Sequence, residues 1–195
     1  MPLALEISKP NSNPPHKLWT RDDCTVLERT GLIDVQRYEL IEGALIQKMG
    51  KNHPQMLTVM LLGTWLRRIF GEPFVVQEPS IDLRPEDNPS SEPEPDMVVL
   101  NRSFLEFASR ARPEDLLLVA EVSSPTLTFD LTIKARLYAR SRIAEYWVID
   151  IEGRRLIVHR DPNGDTYKSV IAYGEQEQVA TLGAPGQEVR VSELL

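Results

Sequence analysis

Residues 116–150, LLLVAEVSSPTLTFDLTIKARLYARSRIAEYWVID, decide the fold. Residues 116–122 form a β-prone apolar run interrupted by a single charge, Glu121. Such a run fits a strand buried on both faces. Ser123-Ser124-Pro125 breaks it, and residues 128–142 then continue as a helix. Tyr146-Trp147-Val148-Ile149-Asp150 returns to strand character, with Tyr146 and Trp147 expected in the core. Strand, crossover helix and strand in this order point to an α/β protein.

Upstream, Met97-Val98-Val99-Leu100 is a second buried strand, opened by Asp96 and separated from the first by an irregular or helix-like stretch around Phe104. Short strands are expected at 74–77 and 80–83, divided by Glu78-Pro79, and the acidic, proline-rich 84–95 reads as a surface loop. Asn52 caps a helix over 54–70, with Pro54 near the favoured first position. Apolar runs at 38–41 and 44–47 flank Glu42-Gly43 as a β-hairpin. Thr20 caps a short helix that ends at Gly31. Downstream, strands are expected at 155–160, 166–171 and 188–191, with turns at Gly153 and Asn163-Gly164. Residues 1–18 read as a loose leader, and 19–195 as a single domain with a mixed α+β sheet, flanking helices and an N-terminal hairpin.

The 195 residues carry 22 Lys+Arg against 29 Asp+Glu, a formal charge of −7. That balance argues against a protein that coats nucleic acid by bulk electrostatics, while leaving room for a local basic groove. The single Cys24 excludes an intrachain disulfide framework and any cysteine-rich metal site, and it fits a reducing compartment. The most apolar run, 56–66, ends in Arg67-Arg68 and is too short to span a bilayer, so a cytoplasmic protein is expected. Nucleotide P-loop, dinucleotide, serine-elbow and HExxH patterns are all missing.

If the strands at 97–100 and 116–122 pair antiparallel, Asp96 and Glu121 converge at one edge of the sheet. A lone carboxylate within a central strand costs several kcal/mol, about 3 or more, unless it is neutralised or paired. A divalent cation shared with Asp96 removes that cost; Mg²⁺ suits such oxygen ligands, with Mn²⁺ as substitute. An arginine partner for Glu121 is the structural alternative. On the following helix, Asp130 and Lys134 stand one turn apart. Either they form a surface pair worth about 0.3–0.5 kcal/mol, or Lys134 reaches the carboxylates and stabilises charge in a transition state.

The strings SEPEPDMVVL (91–100), LLLVAEVSSPT (116–126), FDLTIKARLYARSRIAEYWVID (129–150) and YELIEGALI (38–46), with His53, resemble the Uma-two family of restriction-endonuclease-like proteins. That family belongs to the PD-(D/E)XK nuclease superfamily. The resemblance covers roughly residues 19–160. It implies a restriction-endonuclease-like core and Mg²⁺-dependent DNA endonuclease activity, with Pro95-Asp96 as the PD motif and Glu121 as the second acid. Ser123 stands where the superfamily's short motif has lysine, which makes Lys134 the candidate for that role.

The expected site therefore has Asp96 and Glu121 as metal ligands, with Lys134 and Glu39 as further catalytic groups. His53, Ser123 and Asp130 lend support, and Arg136, Arg140 and Arg142 form a DNA-facing strip. Glu42 reads as a turn residue. DNA is the expected substrate and a homodimer the expected assembly, with two sites for two strands. The competing reading is a non-catalytic nucleic-acid or protein interaction module that retains the fold.

Overall fold

The computed structural model describes residues 16–195. The leader expected over 1–18 falls largely outside them. α1 (Arg21–Thr30) is capped by Thr20, whose hydroxyl and Asp23 close a reciprocal capping box, and it ends at Gly31 with φ 66°. β1 (Tyr38–Ile41) and β2 (Ala44–Gln47) form the expected hairpin, with Glu42 at φ 49° and Gly43 at φ 79° in its turn. α2 (His53–Phe70) starts at an Asn52–Gln55 capping box.

Among the described residues, six strands form a mixed sheet in the order β3-β4-β5-β6-β7-β8. These are β3 (Val75–Gln77), β4 (Met97–Leu100), β5 (Leu116–Ser123), β6 (Glu145–Asp150), β7 (Arg155–Asn163) and β8 (Thr166–Gly174). β5 and β6 run parallel, and every other neighbouring pair is antiparallel. The link between β5 and β6 is α3. It opens as one α-turn (Leu127–Phe129), passes through a π-helical stretch (Asp130–Lys134) and closes as α-helix (Ala135–Arg140).

Strand alternation divides the core into two layers. Val99, Leu118, Ala120, Trp147 and Ile149 pack under Val59, Leu62, Trp65 and Leu66 of α2, where Trp65 and Trp147 stack at 5.8 Å between centroids. Val98, Val119, Tyr146 and Val148 face the other way, onto Leu137 and Tyr138 of α3. Glu121 is two residues beyond Val119 and Asp96 two before Val98, so both acids belong to the α3 face.

Two expectations are corrected. Residues 80–83 are not a strand, although Ile81 and Leu83 are buried. Ile81 N–H donates to Pro93 and Asp82 N–H to Ala111, so no single neighbour supplies a ladder. The 84–95 loop is a surface loop only in part: Arg84, Pro85, Glu86 and Pro89 are exposed, but the rest is drawn into the fold. Ser91 is fully buried, Asp87 lies between Arg84 and Arg140, and Glu92 N–H bridges to Leu40. The expected carboxy-terminal strand is present as β10 (Glu188–Arg190), and its antiparallel partner β9 (Gln178–Ala180) was not foreseen. No helix among the described residues is long and apolar enough to cross a membrane.

His159 on β7 is buried against Tyr146 and Tyr167, at 5.2 and 5.5 Å between ring centroids. Desolvation holds its imidazole below the ordinary 6.5, outweighing backbone hydrogen bonds that favour the cation. The folded state therefore prefers neutral His159. Its stability contribution is complete above pH 6.5 and is lost as pH falls below that toward the folded-state value. On acidification from pH 7 to 5 His159 should remove up to about 1.4 kcal/mol of stability per pH unit, read as the difference between urea unfolding of wild type and of His159→Phe. His159→Phe should flatten that slope; an unchanged slope would contradict the assignment.

Candidate active site

β4 and β5 set the first part of the site by register. Met97 opposes Ala120, so one step further brings Asp96 opposite Glu121. Asp96 precedes the regular strand and turns its side chain across the end of the pair. Its Oδ2 accepts the Val122 N–H at 2.6 Å. That backbone donor has lost its β4 partner, and the carboxylate supplies the missing acceptor.

The π-helical stretch sets the second part. Asp130 Oδ2 accepts from Ser123 Oγ and Thr126 Oγ1, both at 2.7 Å, tying the start of α3 to the end of β5. The wider turn that follows brings Lys134 over the sheet, an arrangement common at functional sites. Lys134 Nζ lies 2.9 Å from Glu121 Oε1 and 2.9 Å from Glu39 Oε1. One α-turn on, Tyr138 O–H donates to the same Glu121 Oε1 at 3.1 Å. Glu39 is held in turn by the Glu94 N–H at 2.9 Å.

The surface-pair alternative for Asp130 and Lys134 is thus overturned. Both are buried; Asp130 bonds to two hydroxyls and Lys134 to two other carboxylates. The arginine alternative for Glu121 gives way to this lysine. Burial works against the charged form of Lys134, but Glu121, Glu39 and Asp130 outweigh it and hold the ammonium more firmly than usual. Glu121 moves the other way for an acid. Its burial outweighs Lys134, and Asp130, Asp96 and Glu39 add repulsion, so its carboxyl takes up a proton far more readily than usual. Too many acids share too few cations.

These groups open onto one cavity of about 580 Å³, lined by six acids (Glu39, Glu78, Glu94, Asp96, Glu121, Asp130) and three lysines (Lys48, Lys51, Lys134). Among the described residues no three His, Cys, Asp or Glu side chains form a ready-made cation cage. The acids nevertheless suit a hard cation. Lys134 and Tyr138 both donate to Glu121 Oε1, which leaves Oε2 of this buried carboxylate for another partner.

Two contributors were not foreseen. Lys51 Nζ lies 2.9 Å from Asp96 Oδ1 and also contacts Glu78. Nothing local signals this, because Lys51 arrives through the β2–α2 connection and Glu78 from the end of β3. Tyr138 does carry a signal, lying four residues after Lys134 on one helix face.

Other expected residues lie elsewhere. His53 is the exposed first residue of α2 and does not line the cavity. Ser123 serves Asp130. The expected arginine strip is partly engaged in ion pairs: Arg136, still exposed, pairs with Glu42 at 2.8 Å, and Arg140 pairs with Glu42 at 2.7 Å and Asp87 at 2.9 Å. Arg142 is exposed with φ 61° beyond the end of α3, beside a separate depression lined by Arg84 and Asn163. Two of the three guanidiniums thus tie α3 to the hairpin turn and the 84–95 loop.

Residues 32–192 match the model of the Uma2 family, described as "Putative restriction endonuclease". A crystal structure described as "a putative nuclease belonging to DUF820", from Anabaena variabilis, superposes with a TM-score of 0.63. It is 14% identical over 86% of this chain and 94% of that chain, a likeness of fold. No protein of curated description matches the chain.

Proposed function

Since the chain belongs to the Uma2 family, described as "Putative restriction endonuclease", we propose that it is a divalent-metal-dependent endonuclease hydrolysing DNA phosphodiester bonds. The observation that carries the reading is the buried Lys134 ammonium set between Glu121 and Glu39, beside Asp96, on the wall of an open cavity.

Asp96 and Glu121 would hold Mg²⁺ or Mn²⁺, which when bound supplies an acidified water and neutralises charge on the phosphate. Lys134 offers a fixed positive charge where charge develops on the phosphate, without reorganisation at the moment of reaction. Glu39 positions Lys134 from the β1 side, and Tyr138 fixes Glu121. Asp130, locked by Ser123 and Thr126, holds the helix that delivers Lys134. A homodimer would bring two such sites to the two strands of a duplex.

Incubation with plasmid, single-stranded DNA, RNA and nucleotides, in Mn²⁺, Mg²⁺ and chelator, tests this reading. Metal-dependent nicking or linearisation of plasmid is the expected result. Cleavage of RNA or nucleotides alone would move the substrate class while retaining the site. Absence of both cleavage and Mn²⁺ binding would favour the interaction-module reading, with the lysines as structural counterions.

A further inference from the structure

Lys51 is the cation nearest Asp96. Its Nζ lies 2.9 Å from Oδ1, while the other oxygen of that carboxylate is occupied by the Val122 N–H. Glu78 grips the same ammonium from the end of β3. Lys51 lines the same cavity as Lys134, with its side chain 25% exposed, whereas that of Lys134 is 7% exposed. The two lysines are therefore held differently. Lys134 is a buried residue of α3; Lys51 hangs on the short β2–α2 connection next to Gly50, around which there is open space.

Resting on the metal-dependent reading above, we propose that Lys51 is a displaceable counterion of the metal site that turns to a substrate phosphate when the site is loaded. An ammonium on Oδ1 and a divalent cation on Asp96 repel each other, so loading drives Lys51 off this oxygen. By linkage, Lys51 weakens metal binding by the same factor. The released ammonium remains in the cavity, where a phosphate oxygen is the available anionic partner. It is there a compact point charge on a long stem, free to follow the phosphate backbone. Glu78 keeps it close in both states.

The test is calorimetric titration of Mn²⁺ into wild type, Lys51→Met, Lys51→Gln and Asp96→Asn. Both Lys51 variants should bind Mn²⁺ at least about five-fold more tightly than wild type, with unchanged thermal stability. Binding of a duplex with non-hydrolysable linkages supplies the second readout. With Mn²⁺ present, Lys51→Met should reduce the slope of log affinity against log salt by about 0.9, one phosphate contact, and without Mn²⁺ it should leave the slope unchanged. Unchanged or weaker Mn²⁺ affinity in Lys51→Met overturns the inference while leaving the nuclease reading intact, provided Asp96→Asn abolishes binding. If wild type binds no Mn²⁺, the reading itself fails and the inference with it.

Discussion

Asp96→Asn is expected to cut metal-dependent DNA cleavage by about 10³-fold, the loss of roughly 4 kcal/mol of transition-state stabilisation. The substitution is chosen to spare the fold. Asparagine has the same shape and keeps an oxygen to accept the Val122 N–H, so the junction of β4 and β5 stays closed. What disappears is the negative charge that a hard cation needs. Thermal melting should therefore match wild type while cleavage and Mn²⁺ binding fall together. A variant retaining more than a tenth of the wild-type rate would remove Asp96 from the mechanism.

The second large effect falls on stability. Lys134→Met keeps a long side chain but leaves Glu121 and Glu39 buried without their shared cation. Breaking a buried pair by removing one partner costs about 3–5 kcal/mol, because the remaining charge is uncompensated. Here one lysine serves two carboxylates, and urea unfolding should show a loss in that range. Adding Glu121→Gln to Lys134→Met should recover part of it, since one orphaned charge is then gone and Tyr138 can still donate to the amide oxygen. If Lys134→Met unfolds like wild type, the network is a weak surface arrangement and the electrostatic account of the site is wrong. Cleavage by Lys134→Met should be lost in either background.

Much of this architecture was legible because it is written locally. The apolar run of β5, its break at Pro125 and the return at Tyr146 identify the strand–helix–strand unit without tertiary information. Glu121 is conspicuous because a charge inside such a run demands a partner. Its antiparallel neighbour then places Asp96, as the observed register confirms. Expectation failed where partners are distant in sequence. Arg140 looked like a helix surface charge, yet Asp87 and Glu42 reach it from 53 and 98 residues away. Lys51 and Asp96 are likewise 45 residues apart and meet only where the β2–α2 connection passes the start of β4. The π-helical stretch was hidden for another reason. Helical periodicity pairs Asp130 with Lys134, but competition from the Ser123 and Thr126 hydroxyls and from Glu121 and Glu39 separates them.

The negative charge also reads differently once located. Acids of the 84–95 segment are consumed in structural pairs, Asp87 with Arg84 and Arg140, Glu92 with Arg110, and Glu94 with Lys48. The cavity, by contrast, retains acids in excess over its lysines. Under this account nucleic-acid binding depends on metal loading and weakens steeply with salt.

A crystal structure of the protein soaked in Mn²⁺ tests the central claim most directly. The account predicts anomalous density about 2.1–2.2 Å from a carboxylate oxygen of Asp96 and from Glu121 Oε2, with Lys134 still bound to Glu121 Oε1. Anomalous density confined to other sites, or none, with Asp96 and Glu121 keeping their lysine partners, would contradict it.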